Sequence, residues 1–262
     1  LLTVIIDWIF NLNWISHKYG FGTYLHRIEG YYSKATHEQA NNELARMNNM
    51  IRKKDSHVYV DTIISPSYTS AIAQAIQIPG IAGMENNMVI FEYNKEKPDD
   101  LSHIIDNFAL VNAGKFDVLI LASSAREIKY KNGIHIWISS TDSSNANLMI
   151  LLGFIISGHP DWKKTDIKIF DICKPELEAE TQKNMEELVT SGRLPITASN
   201  IEVIPQDPEV HQKELVNLKS YDAGLTIIGF REESIKKENM FTGYDQVGTI
   251  LFVNAHSEKI IE

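Results

Sequence analysis

The stretch IHIWISSTDSSNANLMILLGFIISGHPDWKKTDIKIFDI, residues 134–172, decides the fold. Ile134 to Ile138 is an apolar run broken only by His135, Asn145 to Ile156 is apolar over a helical length, and Ile167 to Ile172 is β-rich again. Strand, helix and strand in that order read as one βαβ unit, whose strands run parallel because the helix carries the chain back. The alternation continues outward in both directions. Downstream, helices are expected at Pro175 to Ser191, with proline near the first position, at Glu209 to Leu218 and, weakly, at Ile235 to Met240. Strands are expected at Ile201 to Ile204, Leu225 to Gly229 and Thr249 to Asn254. Upstream, strands at Phe21 to Ile28, Val58 to Ile64, Met88 to Tyr93 and Phe116 to Leu121 alternate with helices at Thr36 to Lys53, Tyr68 to Gln77 and Asp99 to Asn112. Thr36 reads as an N-cap, and Asp99 and Asp100 sit where the helix dipole favours acids.

The fold class is therefore α/β, with mainly parallel sheets and helices on both faces, since right-handed crossovers cover both sides. Glu127 to Gly133 is the best hinge, giving two Rossmann-like subdomains at 1–127 and 128–262. The runs at Val58 to Ile64, Met88 to Tyr93, Phe116 to Leu121, Ile167 to Ile172 and Leu225 to Gly229 are expected as interior strands needing cover on both faces. Leu1, Val4, Ile5, Trp8, Ile9 and Leu12 recur at helical spacing, so the chain is expected to open on an amphipathic helix. The first subdomain would then lack the opening strand that the second possesses. With no initiator Met, basic leader or cleavage site, the chain reads as a fragment whose missing strand lies upstream of Leu1.

Composition narrows the function classes. The chain has 262 residues, 44% hydrophobic and 23% charged, which suits a folded protein and not a disordered one. Its longest apolar runs, Leu1 to Ile15 and Leu148 to Ile156, are too short for a membrane-spanning helix, and the first holds Asp7. The net charge of −9 repels phosphate backbones and anionic lipid, so neither nucleic acid nor direct membrane insertion is expected. The single cysteine, Cys173, excludes an internal disulfide and a multi-cysteine zinc site, and it suits a reducing compartment.

No motif assembles a catalytic or cofactor site, and neither a metal nor a cofactor is expected. Gly20 and Gly22 precede a strand, where a dinucleotide fingerprint would follow one. Gly243 and Gly248 have P-loop spacing, but Thr249 stands at the lysine position and a strand follows. His37 and Glu38 open like a zincin motif whose second histidine is absent at Asn41, and a solvated helical turn explains them better. His26 and His135 read as half-buried strand positions, and Cys173 as a small core or loop residue. Two polar loops, Ser123 to Arg126 and Ser139 to Asn145, could hold an anion, although capping by Ser143, Ser144 or Asn145 needs the same residue types. Pro79 to Gly83 could admit a ligand or simply end a helix.

Taken in order, several segments resemble the C-terminal cytoplasmic domain of the cation-chloride cotransporters, within the amino acid, polyamine and organocation transporter group that also includes amino acid permeases. They are Gly20 to Tyr24 running on to Glu29 and Gly30, Gln77 to Asn87 with its spaced glycines and Met84, Gly133 to Trp137 followed by Asp142 and an apolar helix, and Trp162-Lys163 with Lys168 to Phe170. Asn86 replaces the family's turn proline, Ile138 its second tryptophan, and Ser143-Ser144 its paired glycines. The resemblance implies two subdomains each similar to universal stress proteins, forming a non-catalytic regulatory and dimerisation module on the cytoplasmic face of the membrane. The implied partners are the transporter's own transmembrane domain and a second copy. Trp8 and Trp14, in an opening helix with apolar groups on more than one face, are the candidate contact residues for a dimer or for the membrane domain. The alternative is a free-standing universal-stress-type sensor, with nucleotide held after the first and fourth strands. Against it, Phe230 to Ser234 lacks a glycine-rich phosphate cradle.

Overall fold

The computed structural model describes residues 2–4, 13–51, 58–78, 85–139, 143–191, 196–207, 210–236 and 240–259. Contacts divide the chain into two units, Leu1–Ile120 and Leu121–Glu262. The division falls inside a strand, ahead of the Glu127 to Gly133 segment.

The first unit contains β1 (Leu2–Val4), α1 (Asn13–Tyr19), β2 (Gly22–Glu29), α2 (Lys34–Ile51), β3 (Val58–Ser65), α3 (Tyr68–Ala75), β4 (Met88–Asn94), α4 (Leu101–Ala113) and β5 (Asp117–Ser123), which runs into the second unit. Their order across the sheet is β3-β2-β1-β4-β5. β1 pairs in parallel with β2, Thr3 opposite Tyr24, and with β4, Thr3 opposite Ile90. The opening strand expected upstream of Leu1 is therefore present, within the stretch whose spacing suggested a helix. The residues 1–6, LLTVII, are apolar at almost every position, and a short run of that kind satisfies the helical and extended periods equally. Helix begins only at Asn13.

β3 forms the outer end of this order, not an interior strand, and its exposed Tyr59 and Asp61 alternate with better-buried neighbours. The cap of α2 also differs from expectation. Ser33 precedes the helix, its Oγ accepts the Thr36 N–H at 3.2 Å, and Thr36 Oγ1 accepts the Ser33 N–H at 2.9 Å. Thr36 is thus the third helical residue of a reciprocal capping box.

The second unit contains β6 (Ile134–Ser139), α5 (Ser143–Ser157), β7 (Ile167–Cys173), α6 (Glu178–Ser191), β8 (Ile201–Pro205), α7 (Gln212–Lys219), β9 (Leu225–Gly229) and β10 (Ile250–Asn254). Its strand order is β10-β9-β6-β7-β8, all parallel, with Ile134 opposite both Ile167 and Leu225. Counted from its own first strand, each unit runs 3-2-1-4-5. β6, β9 and β10 are buried along their whole length, as strands covered on both faces are, and Phe252 of β10 packs against Phe241 and Tyr244 of the segment before it. Gly153 of α5 lies against Ile136 and Ile167, whereas the turn after α7 meets the opposite face through Ser220 and Trp137. The segment expected as a helix at Ile235 to Met240 is turn where it is described.

β6 starts where backbones approach closely. Gly133 has φ +98°, and a Cβ there would lie 2.7 Å from the Asp166 carbonyl oxygen. Gly224 N–H donates to the Gly133 carbonyl at 3.0 Å, and a Cβ on Gly224 would sit 2.7 Å from Lys129 O. Glycine is required at both positions for space, and at Gly133 also for conformation.

Candidate functional site

In the second unit the connections leave β6 and β9 in opposite directions, and the carboxyl ends of two such strands bound a crevice. A cavity of about 670 Å³ opens there, lined by Ser139 from β6, Gly229 to Arg231 from the end of β9, Lys213 and Asn217 from α7, and Gly243 and Tyr244 from the segment before β10. That volume suits a small organic ligand.

The wall formed by residues 242–246 is held from several sides. Lys213 Nζ donates to Thr242 O at 2.9 Å and stands 5.1 Å from the centre of the Tyr244 ring, and its partial burial lowers its pKa. Asn217 Nδ2 donates to Gly243 O at 2.9 Å, while its Oδ1 accepts the Gln246 N–H at 3.1 Å. Arg126 donates to Gln246 O at 2.7 Å and to Asp245 O at 2.9 Å. The arginine of the Ser123 to Arg126 loop, weighed as an anion holder, thus fixes backbone carbonyls. Gly243 itself has φ +82° and stands beside Lys213, and Gly248-Thr249 runs straight into β10.

The Ser139 to Asn145 loop divides. Residues 140–142 lie outside the described residues, and α5 starts at Ser143. Asn145 is buried and acts as a cross-tie: its Nδ2 donates to Phe230 O at 3.0 Å, and its Oδ1 accepts the Ala255 N–H at 2.8 Å. Asn254 Nδ2 reaches the same Phe230 oxygen at 2.9 Å. These amides fasten the ends of β9 and β10 to α5.

His135 is fully buried. Its Nδ1 shares a hydrogen bond with Ser220 Oγ at 2.9 Å, and Trp137 Nε1 donates to the same oxygen at 2.9 Å. Burial, reinforced by Lys168, pushes the His135 pKa down to about 4 against an opposing effect of Asp222. A neutral histidine bonded to a serine has the composition of a base and nucleophile. With exposures of 3% and 0%, however, the pair is closed to any substrate.

The remaining candidates scatter. His37 lies on the exposed first turn of α2 beside Tyr32 and Asn41, and His26 is half-buried on β2 near Tyr24. Cys173 is buried at the end of β7, where desolvation raises its pKa. Pro79 to Gly83 and Trp8 lie outside the described residues. Trp14 is 4% exposed, so its side chain belongs to the core and presents no surface to a dimer partner or a membrane domain. Among the described residues no group of three or more His, Cys, Asp or Glu could hold a metal ion, and no helix is long and apolar enough to cross a membrane. Sequence reasoning passed over Lys213, Asn217 and Tyr244, whose roles depend on a wall assembled from separate segments and carry no local signature.

No family model matches the chain, and no curated protein matches it. Solved structures do. The cytoplasmic domain of a prokaryotic cation chloride cotransporter superposes with a TM-score of 0.64 at 14% identity, over 98% of this chain and 96% of that one. A putative universal stress protein from Pseudomonas aeruginosa gives 0.54 at 16% identity, over 96% and 91%. A universal stress protein from Archaeoglobus fulgidus gives 0.51 at 10% identity, over 96% and 94%. At these identities the likeness concerns the fold, which is that of universal-stress-like α/β domains with mainly parallel sheets.

Proposed function

We propose that this chain is a non-catalytic regulatory and dimerisation domain on the cytoplasmic face of a membrane transporter of the cation-chloride cotransporter or amino acid permease type. The observation that carries the reading is the end-to-end match to a cotransporter cytoplasmic domain, 98% of this chain against 96% of that one. Two further features support it. The one Ser–His pair described above is sealed in the core, and the side chains of Arg126, Asn217 and Lys213 bind backbone carbonyls. Its partners would be the transporter's own transmembrane domain and a second copy of the chain. Reading the gene upstream of Leu1 tests this directly. About twelve long apolar segments are expected, and a complete reading frame without them would remove the transporter.

A second reading, a universal-stress-type nucleotide sensor, is favoured by one observation: the 670 Å³ crevice lies at the first and fourth strands of its unit, with Lys213 and Arg231 in its lining. Against it, Lys213 already binds Thr242 O, and Phe230 to Ser234 contains no glycine. Calorimetry with ATP separates the two readings. Weak or absent heat is expected, and micromolar affinity would favour the sensor.

A further inference from the structure

α7 turns only part of its surface inward. Val216 is buried, Asn217 and Lys213 reach the 242–246 backbone, and Lys219 pairs with Glu202 at 2.7 Å. Leu218, by contrast, is 69% exposed, and Tyr221 just beyond the helix is 62% exposed. Leu215 stands one turn before Leu218, on the same stripe of the helix. Leu215, Leu218 and Val210 line a groove of about 460 Å³ between α7 and residues 245–246. The charged side chains lining it are Glu214 and Asp245, both acidic and both exposed. Of the nearby cations, Arg126 donates to the backbone carbonyls of Gln246 and Asp245, Lys213 to Thr242 O, and Lys219 pairs with Glu202, and none of these three side chains lines the groove.

We propose that this groove is a docking site for an amphipathic segment of a partner protein, one that carries Lys or Arg beside leucine-sized side chains. Leu215 and the exposed Leu218 on one helical stripe gain from cover by apolar side chains. The acidic lining selects the sign of the occupant. A second copy would bring the same acids and a net charge of −9 against them, and an anionic lipid surface would be repelled in the same way. A basic amphipathic segment satisfies both requirements. The proposal goes beyond the transporter reading and stands without it.

The test uses the full chain and a fluorescein-labelled synthetic helix with leucines at i, i+3 and i+4 spacing and lysines on its flanks, read by fluorescence anisotropy. Binding is expected, with affinity lowered about tenfold by Leu218→Ser, the size expected for losing one buried leucine. The Glu214→Gln, Asp245→Asn double variant should weaken binding several-fold. Glu186→Gln, an equal kind of charge change on the exposed side of α6, should leave it unchanged. The same peptide with glutamates in place of lysines should not bind. No binding, binding indifferent to Leu218→Ser, or equal loss in Glu186→Gln would overturn the proposal. So would a Leu218-dependent dimer in light scattering, or Leu218-dependent binding to phosphatidylcholine vesicles. Leu218 is exposed, so that variant should keep the parent melting temperature, and the double variant serves if it does not.

Discussion

Ser220 Oγ takes the indole N–H of Trp137 and shares a second hydrogen bond with His135, at full burial, so deleting this one atom leaves two ring nitrogens without water or protein to turn to. Ser220→Ala is expected to cost about 1–3 kcal/mol in denaturant unfolding, the range for orphaned buried polar groups. A loss indistinguishable from that of an exposed serine would show that the network contributes nothing. Asp171, on β7 and 8% exposed, behaves differently. Burial raises its pKa from 3.8 to about 6. Its carboxylate is therefore penalised in the folded chain, and the stability it withholds is lost as pH rises from near 3.8 through about 6, with no further change above. Asp171→Asn should stabilise the protein at neutral pH by up to about 3 kcal/mol, the worth of about two pKa units, and be nearly neutral below the lower value. Unfolding curves for both proteins at several pH values would show a difference that widens across this window. A constant offset would refute the assignment.

The elements divide by how they could be read. Leu225–Gly229 is strand over the residues its apolar run marked, and β4, β6 and β7 each extend one residue beyond theirs, because continuous burial leaves one period to find. Caps, short elements and edges were harder. Thr36 could take either role in a Ser-x-x-Thr box, and β1 is three residues inside an apolar run that also fits a helix. β3 was expected inside the sheet, although Asp61 in its middle marks an edge. The crevice was legible only as a position, the ends of the first and fourth strands, since its wall joins residues as distant as Arg126 and Gln246. The β3 edge yields its own prediction. Asp61 Oδ1 accepts the Thr62 N–H at 2.7 Å, occupying a donor that an added strand would otherwise take. Asp61→Val removes both this cover and the charge, and should make the chain aggregate through edge pairing. Turbidity of concentrated solutions checks it, and a variant as soluble as the parent would argue that the edge is guarded by something else.

At the scale of the whole molecule, charge and exposed apolar surface oppose each other. The chain carries a net −9, so two copies repel at long range. Among the described residues, the most exposed large apolar side chains are Tyr31 and Tyr32, 79% and 76% exposed in the first unit, with Leu218 and Tyr221 in the second. Trp14 does not join them, and Trp14→Glu would place a charge in a core instead of testing a surface. A stable dimer needs about 1,000 Å² of buried surface in total. Isolated apolar groups reach this only when the repulsion between copies is weak. At low salt the charges act across tens of ångströms, whereas at about 1 M they are screened within about 3 Å. Burial of apolar groups survives this screening. Self-association of the chain is therefore expected to be weak at low salt and to strengthen as salt rises, and light scattering over a range of concentrations follows it. Replacing Tyr31 and Tyr32 by serine should abolish the salt-promoted part if those rings form the contact. Association that weakens with salt would mean that opposite charges drive it, and would sink the argument from net charge.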